Sequence, residues 1–220
     1  MVILCYVLTA LAAYLLGSIP TGFIAGKARG IDIRTVGSGN IGATNALRIL
    51  GKPVGITVLL IDALKGWLAV RVVAFWCEKA LLPPGTTGAD PSAAILAGMC
   101  VVLGHNYTCW LGFKGGKGIA TSAGVLAALV PWALLIILSL WFVLCAATRI
   151  VSVGSIIAAF ALPFASWLTT RDWTLTLVAG ALGALAIYKH KANIQRLLAG
   201  TEPRFRAKPS PSREAREATK

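Results

Sequence analysis

The sequence predicts an all-α polytopic membrane protein with seven transmembrane helices. The 220-residue chain is 57% hydrophobic and only 13% charged, which is too apolar for a soluble domain of its size. Its apolar residues form long uncharged runs, and about 20 such residues cross the hydrocarbon core as a helix. The short alternating segments typical of a membrane β-barrel do not occur in the sequence.

The apolar runs follow one another with short polar segments between them. The first run has no basic start and no small-residue cleavage pattern, so we expect a permanent helix rather than a removed signal peptide. The runs are residues 2–24, 54–80, 93–111 and a nearly continuous stretch from 119 to 188.

The distribution of basic residues predicts the topology. Lys and Arg fill the segment between the first two runs, and the positive-inside rule places that segment in the cytoplasm and the N-terminus outside. The loop at 83–91 has no Lys or Arg, as expected of an outside loop. The segment 112–118 and the region after Tyr188 are basic again, so the C-terminus is also expected in the cytoplasm.

This topology requires an even number of spans between Gly118 and Lys189. The apolar runs found there are three, namely 119–148, 150–168 and 173–188. Four spans result if the first run is a hairpin of short helices broken near Pro131, which gives seven spans in all. Arg149 then lies inside and Arg171 outside. A count of five, with one run lying in the interface, stays open.

Residues 1–200 are expected to form a single transmembrane domain. Residues 201–220 are polar, basic and rich in Pro and Ser, which predicts a disordered cytoplasmic tail. The formal net charge of +13 favours retention beside anionic membrane lipids and attraction of anionic substrates over nucleic-acid binding. The five cysteines lie in or beside apolar runs without a C-x-x-C pair, so no metal or disulfide is expected.

The stretch VGSGNIGATNALR, residues 36–48, contains a G-x-G-x-x-G pattern. A dinucleotide site would also need a second strand ending at an acidic residue, but Asp62 lies inside a run long enough to cross a bilayer. A glycine loop before a short helix is nevertheless an anion site, and Arg48 adds a charged fork suited to phosphate. A plain turn is the alternative. The other candidate ligands are Gly37, Ser38, Gly39, Asn40, Thr44 and Asn45.

A second glycine-rich segment, GFKGGKGIATS, resembles a P-loop without being one. Only three residues separate its first glycine from the Gly-Lys pair, and Gly118 stands where a Ser or Thr should bind Mg²⁺. Lys114 and Lys117 in a flexible backbone beside a helix start still suit a phosphate. A basic cytoplasmic loop without a ligand is the alternative.

A third polar segment, KHKANIQRLLAGTEPR, follows the last apolar run. His190 and Asn193 are three positions apart and share a helix face, and His190 could act as a base, a proton shuttle or a phosphate ligand. The other of the two histidines, His105, also adjoins a basic segment, so we expect the two to converge. Asp62 and Lys65 are one helical turn apart and could pair within the membrane, with a structural role or a role at the site both open.

These segments together resemble one family, the bacterial acyl-phosphate:glycerol-3-phosphate acyltransferases, or PlsY family. The similarity runs in order from the first apolar run to about Arg204. The sequence departs from the family pattern at Tyr107, Thr108 and Cys109, which are expected to line the site. The motifs that carry the resemblance are GSIPTG, VGSGNIGATNALRILGK, GHNYTCWLGFKGGKGIATS and HKANIQRLLAGTEPR.

The resemblance implies a seven-helix fold of the bacterial inner membrane with a site facing the cytoplasm. It implies acyl transfer from acyl phosphate to the sn-1 hydroxyl of glycerol 3-phosphate, giving lysophosphatidic acid and phosphate, the first step of phospholipid synthesis. Neither a cofactor nor a metal is implied, and Glu202 is expected to tie the tail back. The implied catalytic residues are Ser38, Arg48, Lys117, His190 and Asn193. Further substrate-binding candidates are His105, Asn106, Lys114, Gly115, Gly116 and Gly118.

An acyl phosphate is already activated, so this reaction needs no enzyme nucleophile, and the sequence offers no nucleophile elbow. The site must instead hold two phosphates that repel each other, which Arg48, Lys117 and loop N–H groups could do. The proton could pass to His190 or to a substrate phosphate oxygen. An anion transporter and a non-catalytic scaffold are the rival hypotheses.

Overall fold

The computed structural model describes residues 2–81 and 91–204, and no strand occurs among them. The predicted outside loop at 83–91 and the predicted tail lie almost wholly outside the described residues. The described helices are α1 Val2–Ser18, α2 Thr21–Lys27, α3 Ala43–Leu50, α4 Lys52–Leu68, α5 Ala74–Leu81, α6 Pro91–Asn106, α7 Ile119–Leu129, α8 Pro131–Thr148, α9 Val151–Thr170, α10 Trp173–Lys189 and α11 Lys191–Leu198. A π-helical turn, Ala69–Val73, joins α4 to α5.

Length and composition make four helical segments of the described chain fit to cross a membrane. These segments are Val2–Lys27, Pro91–Leu111, Pro131–Thr148 and Val151–Thr170. Two more apolar helices, α7 and α10, are shorter. Large apolar side chains such as Phe142, Phe160 and Leu177 are exposed, an arrangement that is stable when lipid covers them. The prediction of an all-helical membrane protein is confirmed, while seven crossings and an outside N-terminus stay predictions.

The long apolar stretch after Gly118 forms four helices, α7 to α10. The break between α7 and α8 falls at Val130, directly before Pro131, which has no N–H to donate and therefore begins a helix well. Helices α8 and α9 are followed directly by Arg149 and Arg171, both in the left-handed conformation. The predicted break near Pro131 is thus present in the structure.

Small residues allow the helices that carry the polar loops to pack closely. Helix α4 packs along α7, where a Cβ added at Gly124 would lie 1.8 Å from the carbonyl oxygen of Ala63. A Cβ at Gly66 would lie 2.2 Å from the carbonyl oxygen of Thr121. Close backbone approach at small residues is typical of helix pairs in membranes. This crossing fixes the start of α7, and with it Lys117, against α4.

Two buried apolar clusters surround the polar part of the molecule. The larger one joins side chains of α1, α6 and α7 to those of α8, α9 and α10. The smaller one, which includes Ile33, Ile41 and Val58, packs the segment between α2 and α3 against α4. The smaller cluster therefore holds the first glycine loop at one end of α4.

Candidate active site

One cavity of about 270 Å³ receives side chains from all three polar segments. The predicted site residues that line it are Ser38, Asn40, Thr44, Asn45, Arg48, His105, Lys117, Gly118, His190 and Asn193. Apolar residues continue the lining, namely Leu47, Ile56, Leu59, Trp141 and Val151. The cavity therefore combines a polar wall with an apolar one, which suits an amphipathic ligand.

Asn45 holds the first glycine loop in shape. Its side chain is buried, and its amide nitrogen donates to the carbonyl oxygens of Ile33 and Val36 at 3.2 and 3.1 Å. Its side-chain oxygen accepts from the backbone N–H of Ser38 at 2.9 Å. A Cβ at Gly37 would lie 2.3 Å from that same oxygen, so a side chain at this position would break the arrangement.

The first loop and the helix that follows it leave the Arg48 side chain free to bind a ligand. The Asn40 side chain accepts from the N–H of Gly42 at 2.9 Å, immediately before α3 begins. Arg48, in the last turn of α3, is exposed, and its side chain forms no hydrogen bond or ion pair with any described residue. Its guanidinium therefore keeps all five N–H donors available for an anion.

The second loop is fastened to the end of α6 just before Lys117. Backbone N–H groups of Gly115 and Gly116 donate to the carbonyl oxygens of Asn106 and His105, at 3.2 and 3.0 Å. A Cβ at Gly116 would lie 2.1 Å from Nε2 of the His105 ring. The absence of a side chain at Gly116 thus allows the turn to lie directly on the histidine.

Lys117 enters the cavity and donates a hydrogen bond to the side-chain oxygen of Asn193. Burial lowers its pKa to about 8, the charge of Glu202 opposes this effect, and the charges of Arg196 and Arg48 add to it. Burial therefore disfavours the ammonium, and an anionic ligand in the cavity would favour it.

The histidine of the third segment is fixed in one tautomer. His190 is buried, and its Nδ1 lies 2.8 Å from the carbonyl oxygen of Ala186. Because a carbonyl oxygen can only accept, Nδ1 carries the proton and Nε2 presents its lone pair. Burial, followed by the charge of Lys117, lowers the pKa of His190 to about 4. The ring is therefore neutral near pH 7 and can accept a proton.

Glu202 joins α11 to α9 at the edge of the cavity. Its carboxylate accepts from Ser152 Oγ at 2.7 Å, Asn193 Nδ2 at 2.6 Å and Arg196 Nε at 2.7 Å. Burial alone would raise the pKa of Glu202, but these hydrogen bonds outweigh burial and lower it. The expectation that Glu202 ties back the chain after α11 agrees with these contacts.

The comparison with known families decides what kind of protein carries this cavity. Residues 7–200 match the family model described as glycerol-3-phosphate acyltransferase. The chain belongs to this family. It is 46% identical to the glycerol-3-phosphate acyltransferase of Thermosynechococcus vestitus, over 91% of this chain and 95% of that protein. It is also 46% identical to the enzyme of the same name from Geobacter sulfurreducens, over 91% and 97%.

Solved structures of the acyltransferase PlsY share the fold. The crystal structure of PlsY, an integral membrane glycerol 3-phosphate acyltransferase, in its glycerol 3-phosphate form has a TM-score of 0.80 and 39% sequence identity to this chain. The comparison covers 91% of this chain and 95% of that one. The lysophosphatidic acid form has a TM-score of 0.78 and 38% identity. The resemblance deduced from the sequence motifs is confirmed.

Several residues of the acyltransferase motifs shape the site without lining the cavity. Lys114 is exposed outside the cavity, unlike Lys117 in the same loop. Tyr107, Thr108 and Cys109 are expected from the sequence to line the site, but none of them lines this cavity. Thr108 is buried and donates to the carbonyl oxygen of Ser18 at 2.6 Å, while the Tyr107 ring lies beneath the Lys189 ammonium. The other predicted ligands outside the cavity lining are Gly37, Gly39, Asn106, Gly115 and Gly116.

Sequence reasoning missed some cavity residues of the acyltransferase. Arg196 lies one turn beyond Asn193 on α11, so helical periodicity could have found it. Ser152, Ser155 and Trp141 also line the cavity, with the Trp141 indole donating to Ser155 at 3.1 Å. These three lie inside or at the start of apolar helices, where no local pattern marks a site.

Proposed function

We propose that this protein transfers a fatty acyl group from acyl phosphate to the sn-1 hydroxyl of glycerol 3-phosphate. The products are 1-acylglycerol 3-phosphate, which is lysophosphatidic acid, and inorganic phosphate. The observation that carries the proposal is the convergence of Arg48, Lys117 and His190 on one cavity with an apolar wall. Its relatives are named glycerol-3-phosphate acyltransferases, and the two PlsY structures are described as glycerol 3-phosphate and lysophosphatidic acid forms.

The cations of the cavity compensate for two phosphorylated reactants. Two phosphate groups held near each other repel, and the repulsion is strong where little water screens it. Arg48 and Lys117 supply positive charge. Arg196 adds a third cationic side chain, which forms an ion pair with Glu202. Donors held in place before the reaction need no reorganisation when charge develops on the acyl oxygen.

The reaction itself forms one bond and breaks one bond. The hydroxyl oxygen of glycerol 3-phosphate attacks the acyl carbon, and the bond from that carbon to the phosphate oxygen breaks. Phosphate leaves with the bonding electrons, and the hydroxyl proton passes to Nε2 of His190 or to a phosphate oxygen of the substrate. The neutral His190 ring with a free lone pair supports the first route.

The apolar wall gives the acyl chain a place beside the lipid. Leu47, Ile56 and Leu59 come from α3 and α4, whereas Trp141 and Val151 come from α8 and α9. Ile56 and Leu59 are about half exposed on the surface of α4. A chain lying against them would reach the cavity laterally from the membrane, without crossing the polar wall.

We further propose that the acyltransferase lies in the bacterial inner membrane with seven spans and its cavity toward the cytoplasm. The basic segments that contribute Arg48, Lys117 and His190 all meet at this cavity. The positive-inside rule places such segments on the cytoplasmic face, where glycerol 3-phosphate is available.

Purified protein in detergent, supplied with palmitoyl phosphate and labelled glycerol 3-phosphate, tests the reaction. We expect labelled lysophosphatidic acid and stoichiometric phosphate, with palmitoyl-CoA giving no product. If palmitoyl-CoA gives product and palmitoyl phosphate does not, the acyl donor is acyl-CoA and not acyl phosphate. If neither donor gives product, the proposal is rejected. Flux of labelled phosphate into proteoliposomes without any acyl transfer would favour the transporter hypothesis.

A further inference from the structure

A buried charged cluster adjoins the cavity, and two of its three members, Asp62 and Lys65, have no role in the reaction described above. Asp62 and Lys65 on α4 and His105 on α6 are only 1%, 3% and 5% exposed. Asp62 and His105 line the cavity, and Lys65 contacts both of them. Buried ion pairs contribute little net stability because desolvation offsets their attraction. The position of these three residues beside the cavity therefore indicates a role in the reaction.

The hydrogen bonds of Lys65 determine the tautomer of His105. The Lys65 Nζ atom lies 2.9 Å from Asp62 Oδ1, 3.1 Å from the Ile19 carbonyl oxygen and 2.9 Å from His105 Nδ1. An ammonium has three donors and no acceptor, so these three contacts use it completely. Asp62 Oδ1 lies 2.9 Å from Lys65 Nζ and 3.6 Å from His105 Nδ1, so the lysine is the nearer counter-charge of this buried carboxylate and a neutral amine here would be strongly unfavourable. Nδ1 of His105 is therefore the acceptor, and Nε2 carries the proton.

The two histidines of the cavity are thus held in opposite tautomers. The Ala186 carbonyl keeps the proton of His190 on Nδ1 and leaves its Nε2 as an acceptor. Lys65 keeps the proton of His105 on Nε2, and this atom lies beside Gly116 in the turn that carries Lys117. One ring can accept a proton where the other can donate a hydrogen bond.

We infer that Lys65 is a positioning residue that holds His105 as a neutral Nε2–H donor at the cavity, opposite in tautomer to His190. The inference rests on the proposed acyl transfer, in which such a donor stabilises negative oxygen on a reactant while His190 accepts the hydroxyl proton. Asp62 keeps Lys65 charged, and Thr21 supports Asp62 by donating to its Oδ1 at 3.0 Å.

Nitrogen NMR of the purified protein tests the tautomers directly. The chain has two histidines, so selective labelling with ¹⁵N-histidine gives two rings, and His190→Gln assigns them. We expect the His105 ring protonated at Nε2 and the His190 ring protonated at Nδ1 near pH 7. A proton on Nδ1 of His105 would overturn the inference. This measurement needs no turnover, so a failure of the proposed reaction would be seen separately.

A matched pair of double variants tests the role of Lys65. Asp62→Asn with Lys65→Met and Asp62→Asn with Lys65→Gln both remove the ion pair and share the same amide at position 62, and only the second has an N–H donor at position 65. We expect the double variant with Lys65→Met to turn over about tenfold more slowly than the one with Lys65→Gln, which is the effect of one hydrogen bond. We also expect only the variant with Lys65→Met to lose the Nε2–H signal of His105, while the two variants melt at similar temperatures. Equal turnover and equal spectra of the two variants would overturn the positioning role of Lys65. If the variant with Lys65→Met does not fold, the wild-type spectrum still decides the tautomer of His105.

Discussion

The Lys117 ammonium donates a hydrogen bond to the side-chain oxygen of Asn193, which joins the second polar segment directly to the third. The amide nitrogen of Asn193 in turn donates to Glu202. Asn193 therefore separates the Lys117 ammonium from the Glu202 carboxylate and prevents them from forming a contact pair. The charge of Glu202 favours the protonated form of Lys117, and the ammonium remains able to bind an anionic substrate.

Arg48→Ala is expected to reduce turnover by at least about 100-fold, the scale found when a donor to developing negative charge is removed. The unfolding temperature should not change, because the guanidinium has no partner among the described residues. Lys52→Ala is the control, since Lys52 is an exposed cation nearby that does not line the cavity. Near-normal turnover of purified Arg48→Ala would contradict the proposed phosphate contact.

The two lysines of the second loop should behave differently. Lys117→Ala is expected to reduce turnover by at least about 100-fold and to raise the KM for glycerol 3-phosphate, because this lysine lines the cavity. Lys114→Ala should stay within about threefold of the wild type, since an exposed charge outside the cavity is screened by salt. Steady-state kinetics of both variants, with melting curves as a folding control, test this difference. Equal losses would mean that the loop acts only through its total charge.

The pH dependence should show an alkaline limb that belongs to Lys117. Its pKa of about 8 means that the free enzyme loses the ammonium as the pH rises through that value, so kcat/KM should fall. Glu202→Gln removes the charge that raises this pKa and should shift the limb to lower pH. An unshifted limb would assign it to another group. His190, with a pKa of about 4, should lose its free lone pair only near that acidic pH.

The sequence predicted the helices because they depend on local patterns, and it predicted the convergence of the polar segments because their basic residues place all three on one membrane face. Pro131 has no N–H to donate and therefore begins α8 well, and the glycine loops show their anion-binding chemistry in their composition. Ser152 and Trp141 could not be found this way, since they reach the cavity only through the packing of α8 on α9. Tyr107 was misplaced because adjacency to a motif does not determine where a side chain points.

Labelling of introduced cysteines tests the topology that the seven-span prediction requires. In a variant lacking the five native cysteines, Arg149→Cys should react with an impermeant maleimide from the cytoplasmic face, and Arg171→Cys from the outer face. Both positions are exposed and lie at ends of helices, which favours reaction. Lys191→Cys is a cytoplasmic reference. Reaction of both positions from one face would reject seven spans and favour the alternative of five.

Gly124→Ala tests whether the crossing of α4 and α7 positions Lys117. The added Cβ would lie 1.8 Å from the Ala63 carbonyl oxygen, so the helices must move apart, at a cost of about 1–3 kcal/mol. We expect a lower melting temperature in detergent and, below that temperature, reduced turnover because Lys117 at the start of α7 is displaced. Gly180→Ala is the matched control, since its nearest neighbour would be Pro163 Cβ at 3.9 Å, and alanine favours the helix by about 0.5–1 kcal/mol. If Gly124→Ala melts lower but turns over normally, Lys117 is positioned by Asn193 and the His105 contacts rather than by the helix crossing.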